Sequence, residues 1–302
     1  MTAIRTLLQE SIDYAGLFPP AELDMGTALD NYVRYSNGPS SWALGRFILP
    51  VSRLAEFEAG LQHIPRHPVH RPRRLAALLG ADVEADVQLL ESFNRRHSNT
   101  ETSFDTVEVK ATSENGVREI IRLVPSSFQT YLEIPIDRDP GGLIAAIGHG
   151  ARRAKVRTGG VTRDAFPQTG DLVRFLRETM RLAVPFKATA GMHHALRAEY
   201  RLTYADDSLT GVMFGFLNVM LAAAFVRAGM EEGEVAQLLE EGEPDAFQPD
   251  DSGISWRDRR LGLQALRDAR RLGMISFGSC SFTEPIADLE SLHLLAPGVP
   301  QT

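Results

Sequence analysis

Two short apolar runs carry cationic side chains: Lys155 and Arg157 lie in AKVRTGG (154–160), and Lys187 lies in PFKATAG (185–191). Two preceding runs add Glu108 and Lys110 in DTVEVKA (105–111) and Glu133 in QTYLEIPI (129–136). These residue types suit carbonyl chemistry. A neutral lysine amine attacks a carbonyl carbon, a carboxylate moves protons, and an arginine fork clamps a carboxylate or phosphate. A strand turns alternate residues to opposite faces. If Val107, Val109, Leu132, Ile134, Val156, Phe186 and Ala188 face outward, the six ionisable groups of the four runs share the other face. Burying an unpaired ion costs several kcal/mol, so these groups need each other, water or a ligand. Two carboxylates against four cations leave a positive surplus, which predicts a small anionic substrate. For any one of them the alternative is a salt-bridged plug of the core.

The elements that would hold these residues alternate regularly. GRFILP (45–50), RLAALLG (74–80), DTVEVKA, QTYLEIPI, AKVRTGG and PFKATAG read as strands, and ISFGSCSF (275–282) as a later one. Amphipathic segments separate them, among them TGDLVRFLRETMRLA with its helical stripe of Leu172, Val173, Phe175, Leu176 and Met180. This alternation predicts a parallel sheet with crossover helices. Neither G-x-G-x-x-G after the first strand nor G-x-x-x-x-G-K-[ST] occurs, so the expected α/β fold is a (β/α)8 TIM barrel rather than a nucleotide-binding open sheet. One domain over residues 1–302 is expected, with 1–40 as a loop and helix extension. Residues 195–256 leave strand 7 unassigned and predict an irregular, elaborated region between strand 7 and strand 8.

Composition sets outer limits. A net charge of −7 over 302 residues argues against nucleic acid as a partner. The densest basic run, HPVHRPRRLA (67–76), reads as a loop before a strand. No stretch predicts a membrane span: GVMFGFLNVMLAAAFVRAG (211–229) is interrupted by Asn218 and reads as a buried helix, with Met213, Phe214, Phe216, Leu217, Met220 and Leu221 in its core. Glu240, Glu241 and Glu243 read as a solvated helix end. The start shows no secretory signal, and a single cysteine fits a reducing compartment, so a cytoplasmic protein is expected. The sequence is compatible with a homo-oligomer without specifying one.

Further candidates cluster at strand ends. Thr189 shares the inward face with Lys187. His193 and His194 follow, and because neighbours diverge, at most one of them is expected to reach a pocket. No H-x-H or H-E-x-x-H spacing supports a metal, and no cofactor is expected. Ser279, Cys280 and Ser281 could offer hydroxyl, thiol and backbone N–H groups to an anion, and Cys280 with His193 or His194 would make a cofactor-free hydrolase. The alternative is a buried thiol acting as a small hydrophobe. Asp13, in the loop-like DYAGLFPP, is expected to close the site or, more simply, to cap the helix starting near Glu22.

With these residues in view, the chain resembles the deoxyribose-phosphate aldolase type of class I aldolase. That family's I-D-H-T-L-L-K-P resembles SIDYAGLFPPA (11–21), V-K-T-S-T-G resembles KVRTGG, V-K-A-S-G-G-I-R resembles FKATAGMHH, and G-T-S-S-G resembles FGSCSF. The resemblance runs over roughly half the chain in short motifs. It implies a TIM-barrel lyase in which one lysine forms a Schiff base and a second, on the next strand, depresses its pKa. In this alignment Arg157 occupies the nucleophile position, which cannot form an imine, and Lys187 matches the second lysine. Lys187 is then the expected Schiff-base or general-base lysine, with Lys155 and Arg157 as its electrostatic partners and Glu133 as proton shuttle; the alternatives are a nucleophile relocated to either lysine and an Arg157 that simply clamps a carboxylate or phosphate. The remaining expectation is a non-catalytic barrel that holds an anionic metabolite.

Overall fold

The computed structural model describes residues 2–62, 73–100 and 102–296. Seven parallel strands follow one another around a barrel: β1 (Ile12–Tyr14), β2 (Leu44–Pro50), β3 (Arg73–Leu78), β4 (Thr102–Lys110), β5 (Gln129–Glu133), β6 (Arg153–Arg157) and β7 (Phe186–Thr189). An excursion then forms the hairpin β8 (Ala198–Arg201) and β9 (Thr210–Met213), and a small sheet of β10 (Phe247–Pro249), β11 (Gly253–Trp256) and β12 (Arg259–Gly262). β13 (Met274–Ser279) returns to the barrel and closes it between β7 and β1. Helices fill the crossovers, and their outer positions match the predicted amphipathic segments. The fold is the expected (β/α)8 TIM barrel, elaborated between its seventh and eighth strands.

Two expectations change with the strand count. PFKATAG is itself the seventh strand, because Ile12–Tyr14, read as loop, is the first. Three residues are too few to show a period of two, and the Gly- and Pro-rich segment after them hides the strand. Its identity lies in pairing: Ile12 and Tyr14 align with Leu44 and Phe47 on one side and with Phe277 and Ser279 on the other. Asp13 is therefore a barrel residue and caps nothing. The helix Met25–Ser36 is capped instead by Asp24, whose carboxylate accepts from the Thr27 N–H at 2.9 Å.

Within the excursion, the helix Phe216–Arg227 is buried as expected, and Asn218 is what anchors it. Its amide donates to the carbonyls of Leu238 and Glu241, both at 2.8 Å, and accepts from the Arg197 N–H at 3.0 Å. Met213 and Phe214 are not in that helix: Met213 ends β9 and Phe214 lies between strand and helix. Glu241 is not solvated: it is buried and pairs with Arg257 at 2.8 Å. Of the basic run 67–76, residues 67–72 lie outside the described residues, while Arg73 and Arg74 begin β3. Among the described residues no helix is long and apolar enough to cross a membrane.

Candidate active site

Alternation along four neighbouring strands brings the predicted groups into one interior. Adjacent-strand register makes Glu133 the partner of Lys155, and Lys155 the partner of Lys187. Lys187 Nζ donates to Asp13 Oδ2 at 2.5 Å and to Glu108 Oε1 at 2.6 Å. Lys155 Nζ lies 2.7 Å from Glu108 Oε2 and 2.8 Å from Glu133 Oε2. Asp13 is held from two further sides, accepting from Ser276 Oγ and from the Arg46 backbone N–H, each at 2.8 Å. The Lys187 ammonium also stands 5.5 Å from the centre of the Tyr131 ring.

The network has a buried floor and an open top. Lys187 is 0% exposed and does not line the cavity, whereas Lys155, Glu108 and Glu133 do. Burial would favour an uncharged Lys187, but Asp13 and Glu108 outweigh it and raise its pKa above the ordinary value, fixing an ammonium there. Burial would likewise raise the Glu108 carboxyl; the Lys155 and Lys187 charges overcome this and hold it down to about 2. Asp13 is a third carboxylate in the interior, so the charge excess predicted from four cations and two acids shrinks from two to one. Unpaired positive charge sits at the rim, where Lys110 and Arg157 line the cavity without an ion-pair partner among the described residues.

The cavity measures about 230 Å³ at the C-terminal mouth of the barrel, where such folds carry their sites. Thr189, His193 and Cys280 also line it. The turn after β7 holds Ala190 (φ 64) and Gly191 (φ 70) consecutively in the left-handed region, a conformation costly for alanine that the surrounding packing must sustain. Thr158 Oγ1 donates to the Ala190 carbonyl at 2.8 Å and ties this turn to the end of β6. Neither a scan of protein-family models nor searches of curated proteins and of solved structures return a match to this chain.

Of the two histidines one reaches the cavity, as their divergence predicts. His193 Nδ1 lies 3.3 Å from Ser279 Oγ and 3.6 Å from Cys280 Sγ. His194 turns away, stacked on Tyr200 at 3.5 Å between ring centroids. The Cys280–His193 pair lacks what a thiolate nucleophile needs: burial pushes the thiol up to about 11 and the imidazole down to about 4, so both are neutral near pH 7. Ser279 is buried behind His193. Ser281 does not line the cavity; its Oγ accepts from the Glu284 N–H at 3.2 Å.

Several contributors to the site carry little or no local signal in the sequence. Ser276 shares the inward parity of Gly278 in ISFGS and was within reach of alternation alone. Ile48 and Leu78, from β2 and β3, and Leu202 and Met213, from the hairpin, form an apolar wall of the cavity. Nothing local separates them from ordinary core residues. Among the described residues no group of three or more His, Cys, Asp or Glu is arranged to hold a metal ion; the three interior carboxylates are engaged with lysines.

Proposed function

We propose that this barrel is a lyase or isomerase that binds a small anionic aldehyde or ketone as an imine on Lys155. The observation that carries this reading is a lysine at the cavity floor, flanked by two carboxylates at 2.7 and 2.8 Å, with a permanently charged lysine as its cross-strand neighbour. Glu133 accepts a proton from the Lys155 ammonium, and the freed lone pair attacks the carbonyl carbon. The carbonyl oxygen takes one proton from the attacking nitrogen and a second from Glu133, which thereby returns the one it accepted, and leaves as water. The resulting iminium draws in the electron pair of a C–C or C–H bond on the neighbouring carbon as that bond breaks, which leaves an enamine. Glu133, in contact with Lys155 and lining the cavity, returns or removes the proton. Lys187 supplies fixed positive charge beside Lys155, and Arg157 and Lys110 receive the anionic group of the substrate.

Register supports Lys155, rather than Arg157, as the counterpart of the aldolase nucleophile, because Lys155 is level with Lys187 while Arg157 pairs with Thr189 nearer the rim. The deciding experiment is borohydride reduction in the presence of a panel of small aldehydes and oxo acids, followed by peptide mapping. A reduced adduct on Lys155, abolished in Lys155→Met, is expected. If no carbonyl compound is trapped on any lysine while Lys155→Met still binds anionic ligands, the barrel is a binding protein and the proposal fails.

A further inference from the structure

The cavity has two unlike walls. Strands β4 to β6 present Glu108, Lys110, Glu133, Lys155 and Arg157. In the eight-stranded ring β2 lies diametrically opposite β6, so Ile48 faces the Lys155 and Arg157 side across the mouth. Leu78 on β3, Phe18 and Pro20 after β1, and Leu202 and Met213 on the hairpin extend that apolar wall. The hairpin is held over the mouth: Arg163 Nε donates to the Thr210 carbonyl at 2.8 Å, and Tyr204 Oη lies 3.5 Å from Cys280 Sγ.

We infer that the ligand is an amphipathic anionic carbonyl compound, its anionic end at Arg157 and Lys110 and an apolar chain or ring laid against Ile48, Leu78, Leu202 and Met213, rather than a polyhydroxylated sugar derivative. This rests on the imine reading for the position of the carbonyl, but the two-walled shape stands independently of it. A hydroxyl turned to the apolar wall gives up water and finds no acceptor or donor there, whereas an alkyl or aryl group is desolvated favourably. The volume is below the roughly 300–1,000 Å³ of drug-sized sites, which restricts the ligand to a short acid with one modest substituent.

The test uses anions without a carbonyl, so that it is blind to imine formation. Calorimetric titration compares hexanoate and phenylpropionate with acetate and gluconate, and phenyl phosphate with glycerol phosphate. The apolar member of each set is expected to bind about tenfold tighter or more, since each buried methylene contributes roughly a factor of four. Leu202→Ala and Met213→Ala, two separate changes on the hairpin outside the barrel wall, are expected to shrink that ratio. Arg157→Gln is expected to weaken apolar and polar anions alike. The set that binds more tightly tells carboxylate from phosphate, and either result sustains the inference as long as the apolar member leads. Equal or tighter binding of gluconate or glycerol phosphate, an unchanged ratio in both hairpin variants, or no binding by any probe overturns it. A failed borohydride trap with the apolar preference intact would sink the imine reading alone.

Discussion

Glu108 touches both interior lysines, so removing its charge tests how the network stays ionised. Glu108→Gln keeps the shape and leaves Lys187 with one carboxylate and Lys155 with one. Breaking a buried ionic cluster on one side costs about 3–5 kcal/mol. Urea unfolding of the variant is expected to show a loss of that size, and a loss under about 1 kcal/mol, typical of exposed pairs, would mean the cluster is solvated. Glu108 also predicts an acid limb. Its folded pKa of about 2 lies below the ordinary 4.5, so its contribution is complete above pH 4.5 and is lost as pH falls toward 2. His193 acts in a different window. Burial lowers its folded pKa from 6.5 to about 4, so between those values the unfolded chain binds the proton and the native state does not. Stability therefore falls as pH drops from 6.5 to 4, and His193→Gln is expected to flatten that slope in unfolding measured across the window.

Single elements are sensitive where two backbones approach closely. Gly45 on β2 lies against β1: a Cβ there would stand 2.4 Å from Asp13 Oδ1 and 3.2 Å from the Ile12 carbonyl. Gly45→Ala is expected to cost about 1–3 kcal/mol by overpacking, and to disturb the carboxylate that holds Lys187. Gly170, in the first turn of the helix Thr169–Arg181, meets nothing within 4 Å, so Gly170→Ala should leave stability unchanged or raise it by up to about 1 kcal/mol. Thermal unfolding of the two variants side by side separates these effects. Strand length decides which faces show in the sequence. Long strands such as β4, with Val107 and Val109 out and Glu108 in, announce their faces through alternation. A three-residue strand cannot, so in the sequence Asp13 reads as a loop residue although it belongs to β1.

Across the whole molecule the two ends of the barrel are differently built. At the N-terminal end Arg46 grips Asp105 through Nε at 2.6 Å, and Arg74 adds a contact at 2.9 Å. This pairing lies away from the cavity and is expected to serve stability. Asp105→Asn should lower the urea midpoint by an amount equivalent to about 1–3 kcal/mol while borohydride labelling of Lys155 is unchanged. Loss of labelling in a still-folded variant would show the two ends to be coupled.

By itself the sequence determined the α/β alternation, the barrel it implies, and the inward parity of Glu108, Glu133, Lys155 and Lys187, because period and composition are local properties of the chain. Tertiary structure alone decided that Ile12–Tyr14 is a strand, that Asp13 of β1 and Glu108 of β4 hold the Lys187 of β7, and that Lys155 rather than Lys187 meets the cavity. It also decided that a hairpin far along the chain supplies an apolar wall. Closure of the barrel sets which strands are neighbours, and their stagger sets the depth of each side chain along the axis. Neither quantity is written in any one segment, so alternation could assign a side chain to the interior but not to its partner or its height.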